Sequence, residues 1–461
     1  MSFTLGIDVA CRAPHQASLA GADGTLLWVG HRFRTETTGL QQLWSRLPEA
    51  ARAGALRVVM EPTRNAWVVL AAWFRRHGAT VVLVPPERSA DLRAYYAKHT
   101  KSDRLDSTVL ARLPLLHPDG LHTEQGLGPG DALRRATKLH STLVLRRTTS
   151  LARLDALLEI LGPAWHAALG GNLTHKTPLA FLAAGYADPH TLRRVGRARL
   201  VRFLQRHSRG MWHNEHADAL LAAAAETIQL WDNELDYPDL AEDIAIEARL
   251  ALGLTAEITE LDERIATLLH ERDPAGIITS APGVGPIVAA VILARLGDPH
   301  RFHSLAAIRS FTGLVPSLNA SGNSAHHGPP TKRGDAQLRH ALFIAAQHAR
   351  RVDPTLAAKY HRLITQAGKH HNSALCHIAT ALLTRIVACW RAGTPYQLRD
   401  TDGTTITHDQ ARAIIAERYS IPTPLRAQRR THTGTGRRSK ESQRAPSTDP
   451  SNAHATTHGA A

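Results

Sequence analysis

Cysteine is almost missing from the chain: Cys11, Cys376 and Cys389 are the only three among 461 residues. An odd and sparse set excludes a disulfide framework and predicts a reducing, cytoplasmic compartment. None belongs to a Cys-x-x-Cys pair, so no zinc ribbon is expected. No stretch approaches the roughly 18 uninterrupted apolar residues of a membrane span. The opening MSFTLGIDVA lacks the basic-then-apolar pattern of a secretory leader. Acidic residues are the minority, 40 against 55 Lys and Arg, for a formal net charge of +15. That excess suits a polyanionic partner, nucleic acid above all, although a basic ribosomal-type binder or a membrane-surface protein shares it. Hydrophobic residues, at 43%, suffice for sizeable cores, and the length predicts two to four domains.

The first third reads as α/β. Strands are predicted at 3–10, 16–20 and 25–31, the last two joined at Asp23-Gly24 as a hairpin. Further strands at 57–60 and 80–84 alternate with helices at 38–50, 65–77, 87–97 and from about 103, which describes a mixed sheet with helices laid on it. The middle changes character. Residues 131–161 form a long basic helix, and 239–271 a second. In the latter, Ala251, Leu254, Ile258, Leu261, Ile265 and Leu268 recur three and four apart. Such a seam fits an antiparallel or intermolecular coiled coil, or an amphipathic helix packed on its own domain. The stretch 162–237, rich in Trp, His and Arg, yields no assignment. Helices are predicted again at 287–296, 335–350 and 372–391, with irregular Gly/Ser/His-rich sequence at 312–334.

Five segments follow: an α/β domain at 1–125, a helical or coiled-coil region with an insert at 126–272, a further domain at 273–365, C-terminal helices at 366–423, and a basic tail at 424–461 too poor in large apolar residues to fold.

Four acidic residues stand out. Asp8 ends the first strand within Gly6-Ile7-Asp8-Val9-Ala10, and Glu61 follows the apolar run Arg57–Met60. Asp103 and Asp106, three apart, share one helix face. Singly, each has a plain structural reading as a turn former or helix cap. Together, carboxylates converging from two strand ends and a helix must be neutralised by cations. Two divalent ions meet that need, and an all-oxygen ligand set favours Mg2+, with Mn2+ able to substitute.

This order of motifs resembles the DEDD transposases of bacterial insertion sequences, the family numbered one hundred and ten, which also contains the pilin-gene DNA invertases. The resemblance covers most of residues 1–365. It implies an RNase H/RuvC-like N-terminal domain whose metal-binding catalytic carboxylates are Asp8 in GIDVA, Glu61 in VVMEPT, and Asp103 and Asp106 in KSDRLDS. The family has alanine where this chain has Ser107. The second half matches a C-terminal transposase domain through PGVGPIVAAVILARLGD (282–298), RSFTGLVPS (309–317), Ser321-Gly322 and TKRGDAQLR (331–339), with Pro329-Pro330 where the family has an apolar residue. In that family a serine in this region attacks DNA, which implies Ser321 here, with Ser317 and Ser324 flanking it. The resemblance also implies guidance by a structured RNA from the element's non-coding end.

Read from the residues alone, Pro282-Gly283-Val284-Gly285-Pro286 is either a helix-hairpin-helix-like turn offering N–H groups to phosphate or an ordinary tight turn. A loop serine is usually a turn former and needs a base or a metal to become a nucleophile. Lys101, Arg134, Arg135, Arg146, Arg147, Lys332, Arg333 and Arg339 can neutralise phosphates or can form solvated basic faces. His370, His371 and His377 lie near Cys376, but no second ligand pair follows: Cys376 and Cys389 read as helix-core residues rather than zinc ligands, and the histidines as compositional.

The resulting expectation is a transposase or site-specific recombinase, cytoplasmic and nucleoid-associated. It cleaves and exchanges DNA strands with two Mg2+ ions through a phosphoserine link, and works as a homo-dimer or tetramer with DNA and a guide RNA and with no membrane partner. A DNA invertase or a junction-resolving nuclease shares every motif. A catalytically inactive nucleic-acid binder is the alternative of another class, although a pure binder has no use for four carboxylates that repel DNA.

Overall fold

The computed structural model describes residues 3–85, 103–116, 121–123, 126, 128–232, 234–321 and 324–421. Lys101, the helix expected at 87–97 and the tail from 424 lie outside them. The chain divides into two compact units, Met1–Pro274 with Ala290–Gly297, and Ala275–Ala289 with Asp298–Ala461.

The first unit opens with a six-stranded sheet of order β3-β2-β1-β4-β5-β6, formed by β1 (Phe3–Asp8), β2 (His15–Ala20), β3 (Leu26–Phe33), β4 (Leu56–Met60), β5 (Thr80–Leu83) and β6 (His122–Thr123). The first three strands are an antiparallel meander, β4 and β5 join parallel to β1, and the short β6 returns antiparallel. Two faces follow from the two-residue period of a strand. Leu5, Ile7, Val58, Met60 and Val81 pack with α1 (Thr37–Ser45) and α2 (Ala66–Arg76) on one side. Val59, Val82 and Val84 pack with Val109, Leu110 and Leu113 of α3 (Asp103–Leu116) on the other. The helix expected at 38–50 stops at Ser45. Pro48 explains the early stop, because proline disfavours helical backbone in the residue before it.

Two long helices follow, α4 (Ala132–Leu161) and α10 (Tyr237–Arg272). They pair antiparallel within the chain: Arg272 reaches Asp131, His140 lies 3.0 Å from Asp262, and the Ser150 hydroxyl donates to the Glu247 carbonyl at 3.0 Å. Of the expected seam, Ala251, Ile258, Leu261 and Ile265 are buried, while Leu254 and Leu268 are half-buried and Leu269 is buried beside them. Between the long helices the unassigned stretch folds into five helices: α5 (Ala164–Ala168), α6 (Lys176–Ala183), α7 (Pro189–Val195), α8 (Arg197–Ser208) and α9 (Asn214–Trp231). Their core is continuous with the long pair and centres on Trp165, Phe181, Leu182, Leu200 and Leu204. The buried Trp165 indole donates to the Thr227 hydroxyl at 2.8 Å.

After α11 (Pro286–Leu296), the second unit holds α12 (Leu305–Thr312), β7 (Pro316–Ser321), β8 (Ser324–Pro330), α13 (Ala336–Ala349), α14 (Pro354–Thr365), α15 (His371–Ala392) and α16 (His408–Arg418). The region expected to be irregular contains the antiparallel β7–β8 hairpin. Its Gly, Ser, Asn and Pro residues have poor strand propensity, which hid it. Helix α15 is long and apolar enough to cross a bilayer. Here it buries Leu375, Ile378, Leu382, Leu383 and Ile386 within a helical core. Asp353 is almost fully buried, caps α14, and accepts from the Tyr396 hydroxyl at 2.5 Å and from Arg385 at 3.2 Å.

Candidate functional site

Strand register brings two of the four acids, Asp8 and Glu61, to the same end of the sheet. In the parallel pair β1–β4, Ile7 stands opposite Met60. One step further along both strands come Asp8 and Glu61. Strand alternation carries Asp8 to the face of Gly6 and Glu61 to the face of Val59, which is the face covered by α3. Both acids are half-buried.

Helix α3 lies directly on that face. A Cβ on Gly6 would stand 2.2 Å from the Ala111 nitrogen and 2.3 Å from the Ser107 oxygen, so only glycine allows this approach. At the far end of the helix, Arg112 donates to the Gly24 carbonyl and Leu115 lies beside Gly24, in the turn next to the amino end of β1. The helix therefore runs antiparallel to β1, and its first turn, with exposed Asp103 and half-buried Asp106, overlies the carboxyl end where Asp8 and Glu61 sit. Among the described residues no group of three or more His, Cys, Asp or Glu side chains stands ready to hold an ion.

Several supporting residues escaped the sequence reading. The departure at Ser107 has a structural counterpart: its hydroxyl, wholly buried, bonds Ser18 Oγ at 2.8 Å, and Ser18 accepts from the Gly30 amide at 3.2 Å. The two serines thus tie α3 to β2 beneath the acidic edge. His15, also buried, accepts the Ala10 amide on Nδ1 at 3.1 Å and bonds Thr35 Oγ1 through Nε2 at 2.7 Å. It fixes the loop that leaves Asp8, and burial holds its pKa below the ordinary imidazole value. Arg64 follows Glu61 by three residues with φ of +48°, a left-handed conformation that costs about 1 kcal/mol or more. Nothing in strand or helix periodicity marks any of these residues.

In the second unit, Ser321 ends β7 and pairs with Ser324 across the hairpin; Ser317 lies on the same strand. The TKRGDAQLR segment leaves β8 and starts α13. Lys332 takes φ of +54°, and Lys332 and Arg333 are exposed. A Cβ on Gly334 would stand 2.5 Å from the Phe311 carbonyl, and Asp335 caps α13 by accepting the Leu338 amide. Arg339 donates to the carbonyls of Thr312 and Lys332, so its guanidinium clamps the turn. In the Pro-Gly-Val-Gly-Pro turn, Gly283 has φ of +75°, and a Cβ there would stand 2.4 Å from the Ala345 carbonyl; Gly285 faces open space. Gly283 thus serves close packing. Lys359 lies in a cationic cluster, its pKa lowered by burial first and then by Arg385, Arg362 and Arg309. His371 bonds the Tyr360 hydroxyl at 2.6 Å, and burial pushes the Cys376 thiol up.

The remaining basic candidates lie on α4. Arg135 and Arg146 are exposed, Arg134 and Arg147 half-buried, and Arg135 donates to the Gly130 carbonyl.

Comparison with known proteins adds an independent line. The DEDD transposase family of IS110 matches residues 5–163, and the family described as Transposase IS116/IS110/IS902 matches residues 275–362. The chain is 27% identical over 402 residues to the insertion element IS110 uncharacterized 43.6 kDa protein of Streptomyces coelicolor, covering 86% of this chain and 95% of that protein. It is 27% identical over 376 residues to the insertion element IS116 uncharacterized 44.8 kDa protein of Streptomyces clavuligerus, covering 81% and 91%. With the mini-circle putative transposase for IS117 of Streptomyces coelicolor it shares 26% identity over 413 residues, covering 83% and 92%. These matches along the chain show the family: the chain belongs to the IS110-family DEDD transposases, enzymes of DNA transposition.

Proposed function

We propose that this transposase cuts and rejoins DNA through a phosphoserine link. Ser321 Oγ attacks a phosphodiester, the phosphorus–oxygen bond to one DNA strand breaks, and that strand leaves as a hydroxyl that takes up a proton. A DNA hydroxyl then attacks the phosphoserine, the serine regains its proton, and a new phosphodiester forms. The number of phosphoester bonds is unchanged, so no external energy source is needed.

Asp8, Glu61, Asp103 and Asp106 would hold the divalent ions, two of Mg2+ or Mn2+. Such ions would lower the pKa of a hydroxyl and neutralise charge on the transferring phosphoryl group. The observation that carries this reading is the register: Asp8 ends β1 and Glu61 directly follows the parallel neighbour β4, at the end of the sheet overlain by the first turn of α3. The strand order β3-β2-β1-β4-β5 supports a RuvC-like assignment for this domain. Lys332, Arg333, Arg134, Arg135, Arg146 and Arg147 are the proposed phosphate contacts, with Lys101 among them by sequence. The family resemblance adds a guide RNA, a homo-oligomer and a cytoplasmic, nucleoid-associated site of action.

The test uses purified protein, Mg2+ and element-end DNA, with denaturation to trap protein–DNA adducts. Asp8→Asn should lose strand cleavage by about 100-fold or more, since a metal ligand supports several kcal/mol of transition-state stabilisation. Ser321→Ala should bind DNA yet form no adduct. Cleavage surviving in Asp8→Asn would overturn the metal assignment. An adduct mapped by mass spectrometry to Ser317 or Ser324 would move the nucleophile. Undiminished cleavage by Ser321→Ala without any adduct would leave a water-using nuclease.

A further inference from the structure

Residues 164–274 fall between the two regions that the family matches, and they contain the most one-sided charge in the described part of the chain. Across 189–209 there are seven arginines and no acidic residue. Helix α8 organises them. Leu200 and Leu204 are wholly buried and fix its inner face. Arg199, Arg202, Arg206 and Arg209, spaced three, four and three apart, are all exposed and form one stripe down the outside. At 1.5 Å per residue the stripe spans about 15 Å.

The neighbouring Arg197 shows how a structural arginine on this helix behaves: it makes a two-point bond to Asp218, at 2.6 and 2.8 Å. Among the described residues none of the four stripe arginines is paired with a carboxylate. The last of them, Arg209, takes φ of +54° as the helix ends, extending the row by one residue beyond α8. Four unneutralised guanidinium groups, three held on a helix with an apolar inner face and one just past its end, repel one another unless something anionic lies along them.

The shape of the surface selects among polyanions. Single-strand binders interleave cations with exposed aromatic platforms. Here the aromatic residue of the helix, Phe203, is half-buried against Tyr186 and His207, at ring separations of 5.1 and 4.3 Å, and offers no platform. Duplex DNA is the substrate of this family of enzymes, and with one phosphate charge per about 1.7 Å of helix axis it offers a dense anionic row to a stripe of this length.

We propose that the arginine stripe of α8 is a docking surface for duplex DNA, contacting its phosphates without reading sequence, a role that rests on the reading of the chain as an enzyme acting on DNA. It would add a hold on the duplex from the region between the two family-matched domains.

The experiment measures binding of full-length protein to mixed-sequence duplex DNA by fluorescence anisotropy across a salt series, in EDTA so that strand cleavage plays no part. The triple variant Arg199→Ala/Arg202→Ala/Arg206→Ala should bind more weakly. Its plot of log affinity against log salt should be shallower by about 0.9 per lost phosphate contact, close to three units in all. The matching triple lysine variant should keep the wild-type slope, and it guards against loss of folding as the cause. An unchanged slope in the alanine variant overturns the proposal. So does a change seen with duplex RNA, single-stranded DNA or anionic vesicles but not with duplex DNA. A shallower slope in EDTA together with cleavage that needs neither Asp8 nor Ser321 would retain the docking surface and overturn the catalytic reading instead.

Discussion

The carboxylate edge and the serine hairpin carry the two halves of the proposed chemistry, but they are built to different standards. The carboxylates stand at the ends of long-range elements, and their places are set by backbone contact: α3 touches β1 at Gly6, and the Ser18–Ser107 bond ties residues 89 apart in sequence. Ser321 stands on a two-stranded sheet, β7 with β8 alone, and such ribbons are marginally stable by themselves. The contrast teaches that the acids stand at the margin of a core built by long-range contacts, whereas the serine stands on a local hairpin anchored at its exit, where Gly334 and Arg339 grip the end of α12.

Substitutions can break or sharpen this contrast through thermal unfolding. Gly6→Ala should have the largest effect. Its methyl group would fall 2.2 Å from a helix backbone nitrogen, so α3 must lift from the sheet, at about 3 kcal/mol or more. Tm should fall by roughly 6 °C or more for a unit of this size, and cleavage should fall with it. An unchanged Tm would mean that the acidic edge is not set by this contact.

His15→Ala should come next. It removes the acceptor of the half-buried Ala10 amide and the partner of Thr35, a loss of about 1–3 kcal/mol. The wild-type pH dependence supplies a second readout. The folded-state pKa of His15 is lowered, so the unfolded chain takes up the proton first. Stability from this group is complete above the ordinary imidazole value, about 6.5, and is lost as pH drops below it. In His15→Ala the acid-side loss of Tm should be smaller; an identical profile would exclude His15 as its source.

Ser107→Ala should cost about 1 kcal/mol, and a double-mutant cycle with Ser18→Ala should return a coupling of at least about 0.5 kcal/mol. Additive effects would show that the two hydroxyls do not act as a pair.

Much of the first unit was legible in the sequence, because strands β1, β4 and β5 are short apolar runs bounded by turn residues, and Asp23-Gly24 marks a hairpin. The positions of the proposed acids were legible for the same reason: each stands where an apolar run ends or a helix begins. The insert was not legible. Its five helices, four of them 12 residues or fewer, share the core of Trp165 and Phe181 with a pair of long helices that sandwich it in sequence, so no local period announces which residues face inward.

What the sequence by itself determined is local: where strands and long helices fall, that Asp103 and Asp106 share a face, and that the net charge calls for a polyanion. The partner of the 239–271 seam was settled only by tertiary structure, as α4 of the same chain, because periodicity defines an apolar face and not what covers it. Register likewise was decided only on folding. Pairing Ile7 with Met60 brings Asp8 and Glu61 side by side, and a slip of one residue would turn one of them to the opposite face of the sheet.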